Sequence, residues 1–386
     1  MNILIQLSHP AHFHLYKIVA RNLIADGHRV LFVIKSKDIL EQLLQNAGLP
    51  YVNINQHAHR GSKIGILWDM LVREWRILRL CRKHKIDLLT GSTPEVAHVA
   101  WLLRLRAVNT GEDDADVIAL FIRMAKPFID GYAAPDSCEM GDVEARTTHY
   151  PGYHELAYLH PNHFTPDPKI VNGYGLPVTE DGKVLSPYFI LRFASLNAHH
   201  DSGIKGINTE VAQRLIDILQ PHGRIYITAE RALEPQFEQY RIRINPLDMH
   251  HVMAFASLYI GDSQTMAAEA GVLGVPFVRF NDFVGRIGYL RELEDTYELG
   301  YGIRASAEGS VARLCAQVEQ LVGLAAAERR AIFAERRERM LAEKIDCAKF
   351  LSWFIEQYPE SAEEVRGADE NFWERFKGLK NERVKE

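Results

Sequence analysis

The chain has 386 residues, enough for two domains rather than one core. Its hydrophobic content of 47% and charged content of 25% are ordinary for a globular protein, and a net charge of -5 gives no basis for bulk nucleic-acid binding. No apolar run is long enough to span a bilayer, MNILIQLSHP reads as a first strand rather than a signal peptide, and the four scattered cysteines (Cys81, Cys138, Cys315, Cys347) suit reduced thiols in a cytoplasmic protein, not a disulfide frame or a zinc site.

Strand and helix signals alternate through both halves, which predicts an α/β protein with parallel sheets and crossover helices. In the first half the expected elements are strand 2–7, helix 16–26, strand 29–34, helix 37–46, strand 51–54 and a long helix 64–85. Strand 87–90, helix 94–105, strand 107–109, helix 114–128 and strand 129–133 follow. Residues 147–183 are dense in Pro, Gly, His and Tyr and read as a linker. Strands resume at 188–193 and 224–228, a long helix is expected over 325–357, and Phe372, Trp373 and Phe376 sit on a closing helix. The expected domains are therefore 1–150 and 184–358, joined by 151–183 and followed by a charged tail, 359–386. Two Rossmann-like domains without a G-x-G-x-x-G run predict ligand binding at the carboxyl ends of the strands, in a cleft where the two edges face each other.

The most informative stretch is LYIGDSQTMAAEAGVLGVPFVRF, residues 258–280. It reads strand, polar loop, helix, strand. The loop opens a helix at a strand's carboxyl end, where unpaired N–H groups and the helix dipole favour an anion such as phosphate. Ser263 and Thr265 add hydroxyl donors, and Glu269, one turn beyond Thr265, can face the same ligand and suits a ribose diol. An ordinary βαβ unit with a polar N-cap explains the same spacing.

The order of elements, the His-rich segment after the first strand and the GDSQTMAAEAGVLGVPFVRF block resemble the GT-B superfamily, which includes nucleotide-sugar glycosyltransferases and UDP-N-acetylglucosamine 2-epimerases. More narrowly, SHPAHFHLYK, NTGEDDADV, GYHELAYLHPNHFTPDP and LRFASLNAHHDSGIKGI resemble the uncharacterised family called domain of unknown function 354. The resemblance implies a GT-B fold of two Rossmann-like domains facing across a cleft. It also implies a nucleotide-diphosphate sugar, UDP-linked by expectation, held mainly by the C-terminal domain. Ser263, Gln264 and Thr265 would hold the diphosphate, Glu269 the ribose, and the segment with Asp248 and Met249 the base. The pattern departs from the epimerases, which show a D-S-G-G-x-x-E-E-like run where this chain has Asp262-Ser263-Gln264-Thr265-Met266-Ala267-Ala268-Glu269. Their aspartate after the strand ending Thr90-Gly91-Ser92-Thr93 is absent, and their histidine-arginine pair is matched only by Arg192. Glu112 falls near a catalytic epimerase glutamate.

His9, His12 and His14 follow the first strand in S-H-P-A-H-F-H. His12 is the favoured general base of a transfer, since GT-B transferases often use a histidine there and imidazole titrates in a useful range. Loop histidines bonding the backbone are the plain alternative, and an H-x-x-H-x-H metal site is a third, with no cysteine pair or H-E-x-x-H beside it. Glu112 and Asp113 could take the acceptor proton or hold sugar hydroxyls, while Asp114 reads as a helix cap. Arg192 could neutralise charge on a departing diphosphate, or form an ion pair; Asn197, His199 and His200 surround the same strand end, and Ser92 with Thr93 forms another polar loop. Helix 64–85 is basic and amphipathic, and could lie on an anionic membrane or simply pack with a solvated basic face.

These observations lead to an expected cytoplasmic glycosyltransferase, metal-independent and without a cofactor, serving surface polysaccharide or glycolipid synthesis. Its partners would be a nucleotide-sugar and a saccharide or lipid-linked acceptor, with no nucleic acid and with peripheral contact at the inner membrane face through residues 64–85. An epimerase or hydrolase of the same donor, and a non-catalytic sugar-nucleotide-binding or assembly protein, are the alternatives.

Overall fold

A computed structural model describes residues 1–35, 40–55, 63–193, 206–229 and 232–378. The chain forms two compact units. One comprises residues 1–163 together with 344–386, and the other residues 164–343.

The first unit is built on a seven-stranded sheet of β1 (Asn2–Leu7), β2 (Arg29–Lys35), β3 (Tyr51–Asn55), β4 (Leu88–Gly91), β5 (Arg106–Thr110), β6 (Gly131–Pro135) and β7 (Thr147–Tyr150). All neighbours are parallel, in the order β3-β2-β1-β4-β5-β6-β7. Ile3 to Leu7 are buried without a break, as expected of a strand covered on both faces. Strand order reverses beside β1, so the loops after β1 and β4 form a switch point. Gly91 ends β4 at φ +144, a backbone region that favours glycine, and a Cβ there would collide with the carbonyl oxygen of Gln6. That close approach lets the polar loop Ser92–Thr93 start directly beside β1.

The second unit holds a five-stranded parallel sheet of β8 (Tyr188–Phe193), β9 (Arg224–Ala229), β10 (Leu258–Gly261), β11 (Phe277–Phe280) and β12 (Gly300–Ile303), in the order β12-β11-β10-β8-β9. Its switch point lies between β8 and β10. The α/β class and the two parallel sheets agree with the expectation from alternating signals.

Several boundaries differ from that expectation. The first helix spans Pro10–Ala25, six residues earlier than expected, because Pro10 supplies the preset φ of a first helical residue and His9 caps it through Nδ1, 3.2 Å from the Ala11 N–H. The expected helix 114–128 is only Ala119–Ala125, since Asp114 holds a turn: its backbone oxygen accepts from Val117 and Ile118, and its carboxylate from Glu139 N–H at 2.9 Å. Asp114 is therefore a loop brace rather than a helix cap. Strands β7 and β12 were not foreseen: β7, TTHY, lies at the start of the stretch read as a linker, and β12, GYGI, carries two glycines in place of an apolar run.

The expected helix 325–357 is two helices, Ala326–Glu343 and Cys347–Glu356. The break is set by Asp346, which caps the second helix by accepting from Lys349 N–H at 3.1 Å. The same carboxylate accepts from His163 Nε2 at 2.7 Å and Asn162 Nδ2 at 2.9 Å. The returning chain is thereby tied to the first unit, which explains why 344–358 is not part of the second, as the expected span 184–358 had it. Helix Cys347–Glu356 packs on helix Pro10–Ala25, with Asn22 Nδ2 3.1 Å from Ser352 Oγ and His28 Nε2 2.9 Å from Glu356. Phe350, Trp353, Phe354, Phe372, Trp373 and Phe376 form one aromatic cluster over this helix. The four cysteines are free thiols, and no helix among the described residues is long and apolar enough to cross a membrane.

Burial raises the Asp346 carboxyl, but the His163 hydrogen bond and charge, with the Asn162 and Lys349 bonds, outweigh it and pull the carboxyl down to about 2. A carboxyl that titrates lower when folded contributes stability in full above its unfolded value near 4 and loses it as pH falls through about 2. Asp346→Asn is expected to cost about 2 kcal/mol at neutral pH. Urea titrations from pH 7 to 2 should show the parent converging on the variant below pH 4; an unchanged gap across that range would remove Asp346 from this role.

Candidate functional site

In the first unit the carboxyl edge of the sheet gathers hydroxyls and carboxylates. Tyr16, inside helix Pro10–Ala25, bridges Thr90 Oγ1 at 2.8 Å and Thr110 Oγ1 at 2.9 Å. Ser92 Oγ lies 3.3 Å from Thr110 Oγ1, and Thr93 Oγ1 donates to Gln6 at 2.7 Å. Burial pushes the Tyr16 phenol up to about 12, against the effect of its Thr110 and Thr90 bonds, so it remains a neutral hydroxyl. None of Tyr16, Thr90 or Thr110 was singled out from sequence, although Thr90 stands next to the end of β4 and Thr110 ends β5, where a polar residue is a readable signal.

Glu112 and Asp113 follow β5. Glu112 Oε2 accepts the His154 N–H at 3.1 Å and lies 3.4 Å from His154 Nδ1, with the Glu112 side chain 14% exposed. His154 was also missed by the sequence reading. Burial lowers its imidazole to about 4, with the Asp113 charge acting in the opposite sense, so it is neutral through the physiological range. The buried atoms His154 Nε2, Tyr150 Oη and Ser137 Oγ have no hydrogen-bond partner among the described residues. Buried polar atoms of this kind are normally satisfied by water or ligand hydroxyls.

The three histidines after β1 separate. His9 is exposed and serves as the helix cap. His14 is buried, with its ring 5.3 Å from those of both Phe13 and Tyr158 and its Nδ1 3.5 Å from Lys17 Nζ. His12 is half-buried, with Nδ1 3.4 Å from Ser8 N–H and 3.3 Å from Ser8 Oγ. A backbone N–H can only donate, so Nδ1 is the acceptor in that contact. Among the described residues no group of three or more His, Cys, Asp or Glu side chains is placed to hold a metal ion.

In the second unit the candidate groups meet at the β8–β10 switch point. Register places Arg192, Gly261 and Arg279 side by side across β8, β10 and β11. A Cβ on Gly261 would come within 2.9 Å of Arg192 Cβ and 2.5 Å of the Tyr259 hydroxyl, so the glycine admits Arg192 at the strand end. Asp262 is buried; its carboxylate accepts from Ile207 N–H at 3.3 Å and its carbonyl from Asn281 Nδ2 at 2.9 Å. Ser263 caps helix Gln264–Val272, its Oγ accepting from Met266 N–H at 3.4 Å. Gln264 and Thr265 are half-exposed, and their N–H groups, first in the helix, have no intrahelical acceptor. Arg279, which the sequence reading passed over, is fully buried and bonded to Glu294 through Nε at 2.9 Å and Nη2 at 3.2 Å.

Glu269 lies one turn along that helix, as expected, but is only 5% exposed and is bonded through Oε1 to His250 Nε2 at 2.9 Å. Asp248 precedes the helix Met249–Ala254 that carries His250, and accepts from Tyr174 at 2.7 Å; Met249 is half-buried. Tyr174 also accepts from Asn245 N–H at 3.0 Å, so it braces the whole 245–249 segment. Asn197, His199 and His200 lie outside the described residues.

Because His154 titrates lower in the folded chain than its usual 6.5, the unfolded chain gains a proton first as pH drops, and stability falls from about pH 6.5 to about 4. His154→Gln is expected to remove about 3 kcal/mol of that acid sensitivity. The check is the slope of unfolding free energy against pH between 7 and 4, and a slope equal to the parent's would contradict the buried neutral state.

No family model matches the chain, and no curated protein matches it by sequence; the narrower family resemblance thus rests on its motifs alone. Solved structures do match. A spinosyn rhamnosyltransferase, SpnG, complexed with spinosyn aglycone, superposes with a TM-score of 0.60 at 15% identity, covering 92% of this chain and 100% of that one. A putative UDP-N-acetylglucosamine 2-epimerase from Listeria monocytogenes gives 0.61 at 11% identity, covering 89% and 95%. The Streptomyces sp. SF2575 glycosyltransferase SsfS6, complexed with thymidine diphosphate, gives 0.55 at 15%, covering 92% and 100%. The chain has the GT-B fold.

Proposed function

We propose that this protein transfers a glycosyl group from a nucleoside-diphosphate sugar to an acceptor hydroxyl. The observation that carries the reading is the start of helix Gln264–Val272. Two N–H groups, the Ser263 cap and the positive end of the helix dipole sit at a switch point beside Arg192, an arrangement suited to a diphosphate. The likeness to SpnG and SsfS6 supports it at the level of fold. As the bond to the sugar breaks, negative charge grows on the departing diphosphate. Arg192 and the Gln264 and Thr265 N–H groups would meet that charge without a divalent cation.

Glu269, held by His250, and the braced segment Asp248–Met249 would set the nucleoside. In the first unit His12, with Glu112 or Asp113, would take the acceptor's proton, and Ser92 and the buried hydroxyls would bind its polar groups. The product would belong to a surface polysaccharide or glycolipid. An epimerase or hydrolase of the same donor is the second reading, supported by the likeness to the Listeria structure. It predicts a changed donor with no acceptor present. Binding without turnover would favour a non-catalytic role.

A thermal-shift panel of nucleoside diphosphates and their sugars tests the donor side, because a ligand of the native state raises the midpoint with its concentration. One nucleoside series should stabilise the parent, and Arg192→Ala and Ser263→Ala should weaken that response on the order of tenfold, as loss of a charge-assisted bond does. No response to any nucleotide, or an equal response in both variants, would refute the placement.

A further inference from the structure

Helix Lys63–His84 turns large apolar side chains toward solvent. Trp68, Leu71 and Trp75 are 65%, 48% and 55% exposed. Their spacing of three and four residues sets them on one stripe, which Arg79 and Arg82, both exposed, continue toward the helix end. The opposite face carries buried Ile77 and Cys81, and there an arginine is buried: Arg73 Nε lies 2.8 Å from the Glu95 carboxylate. The helix therefore buries one apolar face and leaves a second set of large apolar side chains in solvent.

The neighbouring helices widen the surface. Glu74 meets His98 of helix Pro94–Leu103 at 2.5 Å, and His98 Nε2 meets the Met124 carbonyl of helix Ala119–Ala125 at 3.0 Å. These helices expose Trp101 and Leu102, both 60%, and Leu120, 65%. Six large apolar side chains exposed on three helices that pack on one another are a feature of interaction surfaces.

We propose that this three-helix face docks the protein onto an anionic phospholipid surface. Indole rings favour the headgroup level, where an apolar body and a polar N–H are both satisfied. Arg79 lies 4.8 Å from the Trp75 ring centroid, and Arg76, Arg82, Lys83 and Lys85 are exposed beside it, so the apolar stripe is flanked by positive charge. Phosphate headgroups complement that charge while acyl chains take Leu71, Leu102 and Leu120. The inference deepens the reading above by assigning a lipid-carried acceptor, and rests on it for that alone.

The test is co-sedimentation of the full chain with phosphatidylcholine vesicles with and without phosphatidylglycerol, at physiological salt, with tryptophan emission followed in parallel. Binding should be on the order of tenfold tighter to the anionic vesicles and accompanied by a blue shift. The pair Arg79→Glu with Arg82→Glu should erase the preference for anionic lipid, and Trp68→Ser with Trp75→Ser should erase binding and shift together. All four positions are exposed, and nucleotide response in the thermal-shift panel should be unchanged in both variants, so a failure of docking is distinguishable from a failure of the donor reading. No binding to anionic vesicles, binding indifferent to both variants, or a dimer that dissociates in the tryptophan variant would each overturn the proposal.

Discussion

The Asp346 carboxylate is the joint on which the first unit depends. It starts helix Cys347–Glu356, and it takes hydrogen bonds from Asn162 and His163. A chain that has left one unit and built another is thus tied back to the first by two bonds to one group. The entropy lost in closing so long a loop grows only slowly with its length, so the tie is affordable where it could not be offset by local propensity. Its consequence is burial. Helix Pro10–Ala25 contacts the returning helix, and its buried set of Phe13, His14, Leu15, Tyr16, Val19, Ala20 and Leu23 wraps more of the helix than one packed stripe would.

That wrapping has chemical effects. It buries His14, and it carries Tyr16 inward to reach Thr90 and Thr110, so that hydroxyls from three elements meet at the sheet's carboxyl edge. Nearby, burial holds His154 neutral beside two carboxylates. A buried neutral imidazole and a neutral phenol bind hydroxyl-rich partners without competing charge.

The second unit solves a different problem. Arg192 and Arg279 lie in one row across the strand ends, with Gly261 between them. Arg279 is neutralised by a bidentate bond to Glu294, and burial is the larger influence on that carboxyl, raising it even as Arg279 lowers it. Arg279 is thus neutralised within the unit, and Arg192, half-buried, lies at the strand end next to the helix start. The pair is a better account of the charged residue in VPFVRF than chance surface placement, since breaking it would strand a charge in the interior.

Periodicity and punctuation in the sequence determined the α/β class, most strands, the polar loop at Asp262–Ser263 and the helix that follows, because these depend on neighbours within a few residues. The GT-B resemblance was legible for the same reason: its blocks are contiguous. Strands β7, TTHY, and β12, GYGI, lack an apolar run to announce them, and the start of the first helix depended on a histidine cap that composition does not announce. Tertiary structure alone decided which face of a helix is wet. The residues of helix Lys63–His84 read as basic and amphipathic, yet only packing against helix Pro94–Leu103, through Arg73 and Glu95, shows that tryptophans face out and an arginine faces in. It likewise decided that Glu269 is paired with His250, that His12 receives an N–H, and that 344–386 belong to the first unit. Each of these is a contact between residues near or far in the chain whose partner is chosen by folding, and no local pattern encodes it.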